Sequence, residues 1–201
     1  QLAAASYVAR EVLDDPAATG ALVIAFTAPA LLLLPVLLRI GGRADKRTGV
    51  LVSSGIQVVA TLAWLVVPGT SPVVWLAVTA LIGAANAVQD MFVLSMLPDR
   101  ISEDTARTGR RQAGVFAGLF SALQGLGFAT GPLLFGLVLQ VAGYLPSTTG
   151  VAAAQSDAAA TGVLLGFTVL PATLTVLSLL ALRTAGLTTG APDRRTRRSL
   201  G

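Results

Sequence analysis

Asp90 is the only charged residue in the interior of any apolar run of this chain, four residues after Asn86 and one after Gln89. Residues four apart share a helix face, so Asp90 and Asn86 would present one polar surface. A carboxylate inside a hydrocarbon layer costs about 2.5 to 3.5 kcal/mol, so it must face a cavity or a partner. Two kinds of work suit it: a proton or solute contact, or an ion pair with an Arg near the interface. Gln57, Gln124 and Thr130 are further polar residues in apolar surroundings, each able to hydrogen-bond a hydroxylated solute or to join one helix to another. His and Cys are absent, which removes thiolate chemistry, disulfides, the usual zinc ligands and the commonest general base. No catalytic residue, metal site or cofactor is therefore expected, and the chain does not read as an enzyme.

The elements that must position these residues are long and apolar. Over 201 residues the mean hydropathy is +0.76 and only 12% are charged, against roughly a quarter in soluble domains. Five stretches, about 20–38, 49–67, 72–95, 112–142 and 161–183, are long enough to span a bilayer, and residues 1–9 look like the end of a sixth. The expected architecture is an all-α, multi-pass transmembrane helix bundle over residues 1–185, with a disordered basic tail at 186–201. The start carries no basic segment and cleavage site of a signal peptide, and the chain reads as cut from something longer.

Thirteen of the fourteen Lys and Arg residues fall at every second connection: Arg39 to Arg47, Arg100 to Arg111, and Arg183 to Arg198. The intervening connections, 68–71 and 143–160, carry none. This positive-inside alternation predicts residues 41–48, 100–111 and 186–201 on the cytoplasmic face of the plasma (inner) membrane, with 145–160 outside. The basic balance then reflects topology and the lipid bilayer as partner rather than nucleic acid.

The fourth stretch places Gly114 and Gly118, and further on Gly127 and Gly131, four apart along one face. Such spacing lets a second helix approach closely. Taken with their surroundings these glycines carry a more specific signal. Pro98 and Asp99 at an expected helix end are followed by acidic Glu103 and Asp104, then Thr108, Gly109, Arg110 and Arg111. A glycine-rich run with Phe116 and Leu119 leads to Gly131 and Pro132, and then to Gly143 and Tyr144.

In that order of features the chain resembles the glycoside-pentoside-hexuronide:cation symporters, the melibiose-permease branch of the major facilitator superfamily, over about fifty residues. The resemblance implies that the five stretches are helices eight to twelve of a twelve-helix transporter and that residues 1–13 end helix seven. The chain would then be the C-terminal half, and its missing N-terminal half a necessary partner. Two positions depart from the pattern: Ala113 stands where the family has Glu, and Gln124 where several members have a membrane-embedded Lys.

What the resemblance implies is cation-coupled symport, with H+ or Na+, of a sugar or related small-molecule solute by alternating access. A transporter of lysolipid or another amphiphile, and a non-transporting subunit or truncated product, are the alternatives. Asp90, Gln124, Asn86, Gln89, Gln57 and Thr130 are the pathway candidates, with Asp90 and Gln124 expected to border one cavity. Asp99, Arg110 and Arg111, with Arg43, Asp45 and Lys46, would form either a charge network that closes the cytoplasmic side or an ordinary solvated, topology-setting loop.

Overall fold

The computed structural model describes residues 4–40, 45–110, 112–145 and 155–186. Arg43, Arg111, most of the 145–160 connection and the tail from 187 lie outside the described residues. Six helices follow in order: α1 Ala5–Glu11, α2 Ala18–Ile40, α3 Lys46–Ala63, α4 Pro72–Thr108, α5 Ala113–Val141 and α6 Asp157–Gly186. Five of them sit on the five apolar stretches. Among the described residues α4, α5 and the Ala158–Leu182 part of α6 are long and apolar enough to cross a membrane, and Ala18–Leu33 is a shorter apolar helix.

Local chemistry explains where these helices begin and end. Asp45 caps α3, its carboxylate accepting from the backbone N–H of Thr48 at 3.2 Å and from the Thr48 hydroxyl. These bonds hold its pKa below the ordinary carboxylate range because they favour the ionised form. Pro72 opens α4 after an extended Ser71, the position where a missing N–H costs nothing. α4 does not stop at Pro98–Asp99, as its apolar pattern suggests; it continues to Thr108. Ion pairs one turn apart on the solvated surface carry it on, with Arg100 paired to Glu103 at 3.0 Å and Arg107 near Asp104 at 3.9 Å. Gly109, at φ +69°, ends it, since glycine alone adopts that backbone without strain. The 37 residues of α4 extend roughly 55 Å, well beyond a ~30 Å hydrocarbon core.

α4 is the centre of the bundle, packed against α2 on one side and α3 on the other, while α6 joins α3 to α5 and α1 lies against α2 and α6. Two glycines make these contacts possible. A Cβ on Gly83 would collide with the backbone carbonyl of Phe26 in α2, and one on Gly49 with the ring of Phe92. The main apolar core lies at one end of the bundle. It joins α1 to the start of α2, the end of α3, the start of α4, the end of α5 and the start of α6, through Val8, Leu22, Trp64, Trp75, Phe135 and Val163 among others. Trp64 meets Phe167 edge-on with ring centres 5.3 Å apart. Tyr7 meets both Phe135 and Tyr144 in the same manner, and the Tyr144 hydroxyl donates to Glu11 at 3.2 Å. Burial, then the neighbouring Glu11 carboxylate, pushes the Tyr144 pKa upward.

The opposite end, which carries the basic connections, is looser. α5 buries only Phe135 and Leu139, and a Cβ on Gly114, Gly118, Gly127 or Gly131 would meet nothing within 4 Å. The expectation that these four glycines bring α5 close to another helix is not met by any helix described here. The glycines that admit a neighbour are Gly49 and Gly83, together with Gly162 against Ala142 and Gly166 against Phe135. Large apolar side chains such as Leu32, Val59, Val66, Leu123 and Val141 point outward. An apolar exterior of this extent is what a membrane solvates.

Candidate functional site

A central cavity of about 480 Å³ lies where α2 to α6 converge. α5 contributes Gly127, Phe128, Gly131, Pro132 and Phe135; α6 contributes Gly166, Phe167 and Pro171; α2 contributes Phe26. Glycines and prolines keep these walls thin, so the space exists because small residues sit where larger ones would fill it. Gly127 and Gly131 thus border a cavity rather than a helix contact. Four of the chain's seven Phe residues line it.

Gln57 of α3 and Asn86 of α4 are the amide side chains on the wall. Gln57 is 9% exposed, and its Oε1 is buried with no hydrogen-bond partner among the described residues. An acceptor left so costs about 1 to 3 kcal/mol, and a ligand hydroxyl or a water would satisfy it. The Asn86 Nδ2 donates to the Asp90 carboxylate at 3.1 Å, as the spacing of four predicts. That bond uses one amide hydrogen and orients the side chain, leaving its carbonyl oxygen as acceptor.

The remaining candidates are dispersed. Asp90 itself is exposed on α4 and reaches the cavity only through Asn86. Gln124 is exposed on α5 and lines neither this cavity nor the second one, so neither of these two cavities is bordered by both Asp90 and Gln124. The Thr130 hydroxyl donates to the Leu126 carbonyl at 2.7 Å within its own helix. Gln89 lies on a second cavity of about 350 Å³ nearer the basic end, shared with Ser54, Arg100, Phe120 and Ser178.

Among the charged candidates, Asp99 pairs with Lys46, and Lys46 also donates to the Ser95 carbonyl at 3.0 Å. Asp45 is occupied as the α3 cap, and the Arg110 backbone N–H donates to the Thr108 hydroxyl at 3.3 Å. The Lys46–Asp99 contact therefore joins two helices of the same bundle. The Phe residues of the central cavity, and Ser54, were not singled out by sequence. Their only signal is their type in an apolar run, which equally describes core packing.

The chain matches the MFS/sugar transport protein family over residues 1–189. It is 28% identical over 152 residues to the uncharacterized symporter YnaJ of Bacillus subtilis, covering 76% of this chain and 32% of that protein. To the uncharacterized symporter sll1374 of Synechocystis it is 31% identical over 134 residues, covering 66% of this chain and 24% of the other. The matched part of the chain thus spans 32% and 24% of the length of these curated relatives. No solved structure matches it. With residues 1–189 matched, from α1 through α6, the chain belongs to the MFS/sugar transport protein family.

Proposed function

We propose that this chain is the C-terminal transmembrane half of a secondary active transporter of the inner membrane, its basic end and C-terminus cytoplasmic. In this reading it moves a sugar or related small solute together with H+ or Na+ by alternating access against an N-terminal half. The observation that carries the reading is the buried Gln57 Oε1, without a hydrogen-bond partner among the described residues, at a cavity that also holds Asn86 and four phenyl rings. A sugar needs amides for its hydroxyls and flat apolar surfaces for its C–H faces, and about 480 Å³ lies within the range of small-molecule sites. Kinship with two symporters by name supports the coupling to a cation. Substrate sites near the midplane, between two rocking repeats, are the general design of such proteins.

A second reading, transport of a lysolipid or another amphiphile, is favoured by one feature: among the described residues no charged side chain lines the central cavity, and most of its wall is apolar. Gln57→Leu in the full-length transporter separates the two. Loss of one hydrogen bond to a sugar should raise KM about tenfold to a hundredfold. An amphiphile held by apolar contact should be carried as well or better.

A further inference from the structure

The second cavity is not explained by solute binding. Ser54 is 1% exposed, and its hydroxyl, like the buried Oε1 of Gln89, has no hydrogen-bond partner among the described residues. Both residues line the same 350 Å³ space, on helices that run in opposite directions. An acyl chain or an apolar side chain filling it would leave both groups unsatisfied, at about 1 to 3 kcal/mol each. Water satisfies both: a hydroxyl donates and accepts, an amide oxygen accepts, and one water bridges two such groups. At ~30 Å³ per molecule the space has room for on the order of ten waters.

The position of these two residues is as informative as their lack of partners. Gln57 lies three residues after Ser54 on α3, and Asn86 three residues before Gln89 on α4. Because the helices are antiparallel, both steps lead the same way, from the basic end inward by about 4.5 Å. Ser54 and Gln89 line the outer cavity, and Gln57 and Asn86 the central one. The facing sides of α3 and α4 thus carry two successive polar pairs, one per cavity. Arg100, paired to Glu103, lies at the basic end of the outer cavity, and Ser178 of α6 is the remaining polar residue on its wall.

We propose that the outer cavity is a water-filled vestibule running inside this half of the protein. It brings water, and the hydronium dissolved in it, from the basic end to Gln57 and Asn86 without passing through the cleft between the two halves. That the basic end is cytoplasmic rests on the function proposed above; that the vestibule is wet does not.

The test uses the full-length transporter, with any native Cys of its other half replaced, in inside-out vesicles. Ser54→Cys and Gln89→Cys are compared with Val59→Cys, which is 70% exposed on the outward face of the same α3. A small charged methanethiosulfonate reagent reacts with a thiolate, which forms only where water reaches. Positions 54 and 89 should react at least tenfold faster than position 59, and right-side-out vesicles should lose that excess. A bulky Ser54→Leu should then slow the reaction of a Cys placed at Gln57. Labelling of both 54 and 89 at the slow rate of position 59 means that lipid or the chain's own tail fills the space, and overturns the vestibule. Fast labelling with no saturable uptake of any solute would leave the vestibule standing and remove the transport reading instead.

Discussion

Lys46, the first residue of α3, is ion-paired to Asp99 on α4, 53 residues later in the chain. With Lys46 also bound to the Ser95 carbonyl, the pair fastens the basic ends of two antiparallel helices where the apolar core no longer reaches. The side chains are 28% and 60% exposed, so solvent screens the attraction and its worth is about 1 kcal/mol or less. In a double-mutant cycle of Lys46→Ala and Asp99→Ala, read by thermal unfolding in detergent, the coupling should not exceed that. A fall in transport rate much larger than this loss of stability would assign the pair a role in closing the cytoplasmic side.

Glycine substitutions should divide by neighbour and not by motif. Gly83→Ala forces apart the backbones of α2 and α4, and should cost about 1 to 3 kcal/mol. Gly118→Ala meets no atom within 4 Å and replaces a poor helix former, so the isolated half should be unchanged or more stable by up to about 1 kcal/mol. Unfolding of the two variants in the same detergent compares them directly. In the full-length transporter, an assembly defect from Gly118→Ala with an undamaged C-terminal half would mean that the stripe serves the other half.

The five long helices could be read because an apolar run of about twenty residues has few other fates. The Asn86–Asp90 bond could be read because a spacing of four on one helix is fixed by geometry. The glycines of α5 show why the rest was hidden: a small-residue stripe says that close approach is possible, not which helix approaches. Gly83, alone in its run, is the one that admits a backbone. Gln57 and Gln124 look alike as single amides among apolar residues, yet one is buried at a cavity and the other exposed. Only the rotation of each helix against its neighbours separates them. The extension of α4 to Thr108 is hidden because the apolar pattern ends at Leu97, whereas one-turn ion pairs sustain the helix beyond it.

Asp45 gives a pH dependence whose sign is set. Its pKa is depressed in the folded protein by the Thr48 hydroxyl and backbone N–H. The charged cap therefore contributes stability above the ordinary carboxylate pKa, and loses it as pH falls through the lower, folded value. Asp45→Asn keeps a capping oxygen without the charge. The wild-type advantage over this variant in thermal stability should be present at pH 7 and shrink towards pH 3. An advantage that grows on acidification would contradict the assignment.

Orientation can be read with one impermeant thiol reagent on intact cells, since the chain has no Cys of its own. Thr105→Cys, near the end of α4, should stay unlabelled until the membrane is opened, and Ser156→Cys, before α6, should label at once. The reverse pattern would invert the assigned topology.

The proposed transport function stands or falls with the cavity bounded by Gln57, Asn86 and the glycine face of α5 as the place that receives the solute. Gly131→Cys places a thiol on that wall with space around it, since a Cβ there touches nothing within 4 Å. The decisive measurement is the rate of N-ethylmaleimide labelling of this single Cys in the full-length transporter, with and without saturating solute. A transported sugar should slow labelling at least severalfold, while an untransported sugar of the same size and Gly118→Cys as a distant control show no change. An unaltered rate at position 131 under conditions of full uptake would place the solute elsewhere.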